Sequence, residues 1–378
     1  MSTGLSSSAV DVMIVGGGPA GAAAAVLLAR EGRRVVVIEK TSGAHHKVCG
    51  EFLSHEALLY LERLGVDLAA IGAVPIRRLL LAAETRIAEC NLPFAAMSLT
   101  RRALDEALLE LATRAGATVL RGCRVDALER SGGIWRARLS DGEMCSGTSA
   151  FLATGKHDVG SHPRPAGRQN DLVAFKMYYR MPTVQRAAIA RHVELVVFPG
   201  GYAGLQLVED GAANLCLLVR RSRLRACGGQ WDGLLAHILR NSRFLAELLE
   251  GAEPLMEKPL AASSLPYGLL RRRSPDEIWR LGDQAAVIPS FSGDGISIAL
   301  HSSHLAAQVY LAGGDADAYQ RRLAGELNRS VSVATAISRS VVASPQLAQF
   351  ARLCPLLLRP IASGTRVPAH ALFEGVGK

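Results

Sequence analysis

The stretch Gly16-Gly17-Gly18-Pro19-Ala20-Gly21 constrains this chain more than any other part of it. It follows a short apolar run, Asp11–Val15, and opens an Ala/Leu-rich helical stretch, Ala20–Arg30, that Gly32 ends. The β-branched run Arg34–Ile38 comes next, so the order is strand, glycine turn, helix, strand. Each glycine of a G-x-G-x-x-G turn has a job. Gly16 permits the tight turn, Gly18 removes a side chain where a pyrophosphate must approach, and Gly21 lets helix and strand pack closely. Pro19 and Ala20 begin a helix whose N-terminus offers free N–H groups and a positive dipole end to phosphates. Glu39 ends the second strand where an acid accepts hydrogen bonds from an adenosine ribose, with Lys40 just beyond it. An acid there favours FAD or NAD over NADP without choosing between the first two.

The rest of the chain fits an α/β protein with an inserted sheet. Helices are expected over His55–Leu64, with Ser54 as cap and Gly65 as stop, and over Arg102–Arg114, capped by Thr100. Short strands follow at Thr118–Leu120, Val125–Leu128 and Trp135–Leu139, the last two joined by a Ser-Gly-Gly hairpin, and then at Ala150–Ala153. From Val173 the pattern changes to strands with Gly-rich turns (Val173–Arg180, Val193–Phe198, Gly204–Val208, Asn214–Val219), which reads as an antiparallel sheet. Trp279–Leu281 returns as a strand, Gly295–Leu311 as a long small-residue helix, and Ala316–Phe350 is helical, with a last apolar piece at Cys354–Ile361.

Composition excludes several classes. No apolar stretch approaches the roughly 18 residues that a membrane-spanning helix requires. The seven cysteines form no C-x-x-C pair, which speaks for reduced thiols in a cytoplasmic enzyme and against a disulfide framework or zinc site. The net charge of +9 suits an anionic cofactor, an acidic carrier or partner protein, or peripheral contact with an anionic membrane. Basic residues are not interleaved with aromatics, so no nucleic-acid partner is expected.

A second motif lies far downstream: Leu281-Gly282-Asp283-Gln284-Ala285-Ala286, then Pro289, then Ser292-Gly293-Asp294-Gly295-Ile296. With the N-terminal fingerprint, it resembles the FAD-dependent aromatic hydroxylase and geranylgeranyl reductase superfamily. The resemblance implies that Asp283 binds the ribityl chain. It also implies that Gly293 and Gly295 set a helix N-terminus against the pyrimidine edge of the flavin, where reduced flavin is negative. Arg101, in Thr-Arg-Arg-Ala-Leu-Asp, matches a family arginine that faces the cofactor. Lys47-Val48-Cys49-Gly50-Glu51 resembles the Cys-Gly-Glu segment of the geranylgeranyl reductase branch, whose loop covers the flavin; Lys47 or His46 then pairs with a phosphate, and Cys49 either approaches the flavin or packs in the core.

The resemblance spans about residues 10 to 312 and implies a Rossmann-type, glutathione-reductase-like FAD-binding domain. That domain is discontinuous over 10–75, 98–160 and 276–312, with a substrate domain over 76–97 and 161–275 and a helical C-terminal segment over 313–378. One departure matters. Family hydroxylases carry Asp-Gly after the strand at Ala150, used for FAD and for transient NAD(P)H binding; here the residues are Ala153-Thr154-Gly155-Lys156-His157-Asp158. NAD(P)H remains one possible electron donor and a partner reductase another. The Trp-x-Trp-x-Ile-Pro signature of the related halogenases is absent.

Along Val173–Tyr179, alternation sends Val173, Phe175, Met177 and Tyr179 to one face and Lys176 and Tyr178 to the other. Phe175, Met177, Tyr179, Phe198, Tyr202 and Leu205 are candidates to line a cavity for a lipophilic substrate such as a polyketide or an alkylated aromatic, or else to be core. For proton transfer, Cys49, His157 and Tyr202 are the candidates, with His192 and His301 also of suitable chemistry. No Ser/His/Asp set, carboxylate pair or metal-ligand spacing is readable. The expected activity is FAD-dependent monooxygenation of a hydrophobic small molecule. The alternatives are a geranylgeranyl reductase-like C=C reductase and a non-catalytic FAD-binding scaffold.

Overall fold

The computed structural model describes residues 9–83, 86–343 and 365–372. In chain order it begins with β1 (Val10–Val15), α1 (Pro19–Arg30), β2 (Val35–Glu39), β3 (Phe52–Leu53) and α2 (His55–Leu64). There follow β4 (Val74–Ala83), β5 (Arg86–Ser98), α3 (Arg101–Arg114), β6 (Thr118–Arg121), β7 (Val125–Ser131), β8 (Ile134–Leu139) and β9 (Met144–Leu152). The middle holds β10 (Leu172–Arg180), α4 (Thr183–Ala188), β11 (His192–Phe198), β12 (Gly201–Leu207), β13 (Ala213–Arg220), α5 (Arg221–Ala226), α6 (Trp231–Asn241), α7 (Arg243–Leu248), β14 (Glu253–Pro254) and β15 (Leu260–Ala262). The last elements are β16 (Trp279–Arg280), α8 (Gly295–Leu311) and α9 (Ala316–Ala343).

Two sheets result. The first runs β6-β2-β1-β9-β8-β7, with β16 added beside β9. Its β6, β2, β1, β9 and β16 are parallel, and β7 and β8 are antiparallel neighbours. The hairpin between β7 and β8 turns on Gly132 and Gly133, both at positive φ, the backbone a two-residue hairpin of matching twist demands. Because β1 and β2 are covered on both faces, their Val/Ile runs are almost wholly buried. On one face, α1, α3 and α8 bury Ala23, Val26, Leu108 and Leu305 against Val12 and Ile14. The small residues of α1 and α8 allow close approach: the Ser303 hydroxyl donates to the Ala20 carbonyl at 2.6 Å.

The second sheet runs β14-β10-β13-β12-β11-β4-β5-β3, with β15 on β10. It differs from the sequence expectation in two ways. The strands β4 and β5 form a long hairpin edge, and β4 pairs in parallel with β11, so the sheet is mixed. Its outer face is covered by α6 and α7, whose Leu234, Ile238, Leu245 and Leu248 form one core with the sheet. Neither helix is marked by strong stop signals in the sequence. Helix α9 is described to Ala343, so the expected continuation to Phe350 and the piece Cys354–Ile361 lie outside the described residues. No helix among the described residues is long and apolar enough to cross a membrane.

Candidate functional site

The glycine turn sits at the C-terminal ends of the parallel strands, where ligands of open α/β sheets bind. Gly16 has φ +105°, and a Cβ there would lie 2.5 Å from the Ala153 carbonyl oxygen. At Gly21 a Cβ would come within 1.9 Å of the Gly16 carbonyl oxygen. Both positions therefore exclude a side chain on steric grounds. Gly18 differs: the nearest atom to an added Cβ is Arg101 Nη2 at 3.2 Å, so this glycine faces a guanidinium, with space instead of backbone around it. Gly18 also caps α1 without any side-chain hydrogen bond, which leaves the first-turn N–H groups open to an anion.

Glu39 is buried and accepts the Gly17 N–H at 2.7 Å, while Thr41 donates to its other oxygen through both N–H (3.1 Å) and hydroxyl (2.8 Å). Burial opposes its charge, but Lys47 and these donors outweigh burial and hold its carboxyl below the ordinary glutamate range. A cavity opens beside it, lined by Gly17, Thr41, His45, Lys47, Arg102 and Arg121 among others. Lys40 points to solvent. Between this cavity and Gly18, Asp105 receives Arg101 on both oxygens (2.7 and 2.8 Å) and Lys47 at 2.9 Å. Desolvation works against the Asp105 charge, and the two cations overcome it and keep its pKa lowered. Arg101 and Lys47 thus stand against two carboxylates, Asp105 and Glu39, at the mouth of the glycine turn.

The downstream motif meets the first one directly. Gly282, at φ +54°, lies so close to α1 that its Cβ would stand 3.3 Å from the Ala20 Cβ. Its N–H donates to Ser302 on α8 at 2.9 Å. Asp283 is half-buried next to it, and the Gln284 amide donates to the carbonyls of Gly155 (3.0 Å) and His157 (2.9 Å). Pro289 leads into a short turn ending at Gly293, where φ is +74° and a Cβ would strike the Phe52 ring at 2.6 Å. Gly295 is exposed with nothing within 4 Å of an added Cβ, and Ile296 behind it is buried in the core. The two motifs, far apart in the chain, thus meet where α1 and α8 pack together.

The segment around Cys49 is clamped from the second sheet. Gln206 and Asn214 donate to the Gly50 carbonyl at 3.0 and 2.9 Å, and Lys156 to the Val48 carbonyl at 2.5 Å. Glu51, at φ +60° and fully buried, accepts the Arg101 N–H at 2.7 Å and the Tyr178 hydroxyl at 2.8 Å, and forms an ion pair with Lys176 at 2.5 Å. Cys49 Sγ accepts the Glu51 N–H at 3.3 Å. His46 packs its ring against Tyr178, and burial, with Lys176 and Arg102 nearby, lowers its pKa to about 4, so it is neutral. Of these residues Glu51 lies in the Cys-Gly-Glu segment that the sequence marks, while Gln206 and Asn214 carry no signal in the sequence. Lys176 and Tyr178 had a signal, since strand alternation put them together on one face.

Three site expectations change. Phe175, Met177, Tyr179, Phe198 and Leu205 belong to the core between the second sheet and helices α6 and α7. The strand alternation is as read, and of the two alternatives, cavity lining or core, these five residues take the second, because α6 and α7 cover their face. Tyr202 does point inward, but its hydroxyl is engaged with Ser290 Oγ (3.0 Å) and the Phe291 N–H (3.3 Å), and it packs against the Phe291 ring. It braces the Pro289–Gly293 turn. The other face of the second sheet is core as well: Leu81, Ala174, Val197 and Leu218 are buried in one cluster with Leu265, Tyr267 and Leu269. His157 is exposed, while His192 pairs with Glu194 on the outer face and His301 bridges Tyr60 and Glu326 behind α8. Among the described residues no group of His, Cys, Asp and Glu is arranged to hold a metal ion.

Comparison with known proteins agrees with this geometry. Residues 9–148 match the FAD binding domain family. The menaquinone reductase of Mycolicibacterium smegmatis is 28% identical over 331 residues, covering 82% of this chain and 78% of that protein. A flavoprotein/dehydrogenase from Cytophaga hutchinsonii superposes with a TM-score of 0.79 at 17% identity, covering 97% of this chain and 93% of the other. The structure of pqsL, a probable FAD-dependent monooxygenase from Pseudomonas aeruginosa, gives a TM-score of 0.67 at 20% identity, over 95% and 99% of the two chains. At these identities the structural likeness is one of fold.

Proposed function

We propose that this chain, an FAD-dependent oxidoreductase of the aromatic hydroxylase superfamily, is a monooxygenase acting on a hydrophobic small molecule. What carries the reading is the contact of the two nucleotide motifs, Gly282 against Ala20, beside the glycine turn at the C-terminal ends of the parallel strands. In this reading, Glu39 takes the adenosine ribose, and the α1 N-terminus with Arg101 and Lys47 takes the pyrophosphate. Asp283 takes the ribityl chain, and Gly293, Gly295 and Ile296 present the α8 N-terminus to the pyrimidine edge. When bound, FAD supplies the electron transfer and the reaction with oxygen. The chain's own residues position it: the Val48–Glu51 segment, held by Gln206 and Asn214 of the second sheet, covers it in this reading. The division into an FAD unit over 10–75, 98–160 and 276–312 and a substrate unit over 76–97 and 161–275 belongs to this reading. NAD(P)H or a partner reductase supplies the electrons. Gly155 to Asp158 stands where the hydroxylases carry Asp-Gly.

A second reading is reduction of a C=C bond. The Cys49-Gly50-Glu51 segment, held by the second sheet, and the likeness to a menaquinone reductase favour it. The two separate in one experiment. Anaerobically reduced holoprotein is mixed with oxygenated buffer, with and without alkylated aromatic or polyprenyl compounds. A transient spectrum between the reduced and oxidised forms, coupled to oxygen incorporation, supports monooxygenation. Slow reoxidation without a transient, with saturation of an unsaturated chain, overturns it in favour of the reductase. Gly18→Val places a side chain against Arg101 and should abolish FAD retention; a fully loaded yellow variant would remove the cofactor assignment.

A further inference from the structure

The first turn of α8 meets a set of charges that the functions above leave unused. Asp294 directly precedes the helix, and its carboxyl group is fully buried. Glu56 on α2 is buried beside it and accepts the Ser54 hydroxyl at 2.9 Å, while Ser54 Oγ lies 2.5 Å from Ser297 Oγ on α8. Into this acidic corner reaches Arg366, from the C-terminal part of the chain. Its Nη1 lies 2.7 Å from Glu56 Oε2 and 3.6 Å from Asp294 Oδ1, and its guanidinium carbon stands 3.5 Å from the centre of the Phe94 ring. The Arg366 carbonyl accepts the Ser330 hydroxyl from α9 at 2.5 Å. Both ends of the residue are therefore held.

The charge balance of this corner bears on the start of α8. A helix N-terminus is worth about half a positive charge. An uncompensated carboxylate at Asp294 would cancel it, and Glu56 would add to the loss. Burial pushes the Asp294 carboxyl up to about 7; Arg366 opposes that rise, and Glu56 adds to it. Arg366 is the cation that both acids face.

We propose that Arg366 is a positioning residue for the redox chemistry: by offsetting one of the two carboxylate charges of Asp294 and Glu56 it keeps the α8 N-terminus less negative toward bound FAD and so raises the flavin's reduction potential. Two-electron reduction with uptake of one proton leaves a negative charge near N1 and C2=O, so a positive helix end stabilises the product form. The inference rests on the proposed placement of the flavin ring against α8.

The test is the two-electron potential of purified holoprotein at pH 8, measured by dye equilibration, with FAD content recorded for each variant. Arg366→Gln is expected to shift the potential to a more negative value, and Asp294→Asn alone to shift it to a more positive one. The double variant should return toward wild type, which a purely structural defect would not do. An unchanged potential in Arg366→Gln at full FAD content, or a shift that Asp294→Asn leaves uncorrected, overturns the proposal. If Arg366→Gln fails to hold FAD, the near-isosteric Asp294→Asn decides, since an unchanged potential there is equally fatal. Failure of the flavin placement is distinguishable, because Gly295→Val, whose side chain enters open space at the α8 N-terminus, would then leave both the flavin spectrum and the potential unchanged. If only the role of Arg366 is wrong, Gly295→Val still shifts them.

Discussion

A single carboxyl group shows how far burial can act without any part in chemistry. Glu194 on β11 is 1% exposed, with His192 Nδ1 at 3.3 Å, and burial first, then the neighbouring Glu89, pushes its pKa up to about 8. In the unfolded chain a glutamate titrates near 4.3. Between those values the folded protein holds a proton that the unfolded chain has released, so stability falls as pH rises through the window and levels off above about 8. Glu194→Gln removes that dependence. The variant is expected to gain on wild type by about 2 kcal/mol or more between pH 5 and pH 8.5, read from urea midpoints at each pH. A constant difference across the range would mean that the group is ionised throughout. His192, which has the chemistry for proton transfer, is spent on this acid.

At the scale of elements, the segment Val48–Glu51 owes its place to the second sheet. It has no regular structure, and Glu51 adopts a left-handed backbone that a glutamate avoids in isolation. Two donors on its carboxylate, the Arg101 N–H and the Tyr178 hydroxyl, stabilise that conformation, and the Lys176 ammonium, wholly buried on β10, pairs with it. Lys176→Met leaves a buried carboxylate without its cation and is expected to cost about 3–5 kcal/mol in unfolding free energy. Combining it with Glu51→Gln should recover most of that loss, as a double-mutant cycle in chemical denaturation would measure. Strictly additive losses would show that the two side chains are not coupled. The same packing logic explains why candidate lining residues of the second sheet are core. Helices α6 and α7 cover Phe175, Met177, Tyr179, Phe198 and Leu205, and the period-two pattern of a strand cannot say which of its faces will receive a helix.

At the scale of the molecule, the proposed FAD site is made by segments from three regions of the chain, so occupancy by FAD must stabilise the whole. FAD at 100 times its dissociation constant adds about 2.7 kcal/mol to unfolding, which should raise the melting temperature by several degrees in calorimetry. Asp283→Ala should need a higher FAD concentration for the same rise; an identical titration curve would remove its ribityl role.

What the sequence by itself determined is local or carried by backbone geometry. The strand–turn–helix of residues 10–39 is legible because Gly16 and Gly21 allow no side chain, and their spacing writes that requirement into the chain. Glu39 was marked by its place at the end of the second strand, whereas Arg101 and the Gly282–Gly295 motif were marked only through resemblance to a family. Only tertiary structure decided what depends on distant partners: that Gly282 rests on Ala20, that β4 pairs with β11, that Lys176 meets Glu51, and that Arg366 meets Asp294. A buried charge is stabilised by its counter-charge, and periodicity along one strand or helix carries no information about a partner some 70 to 130 residues away.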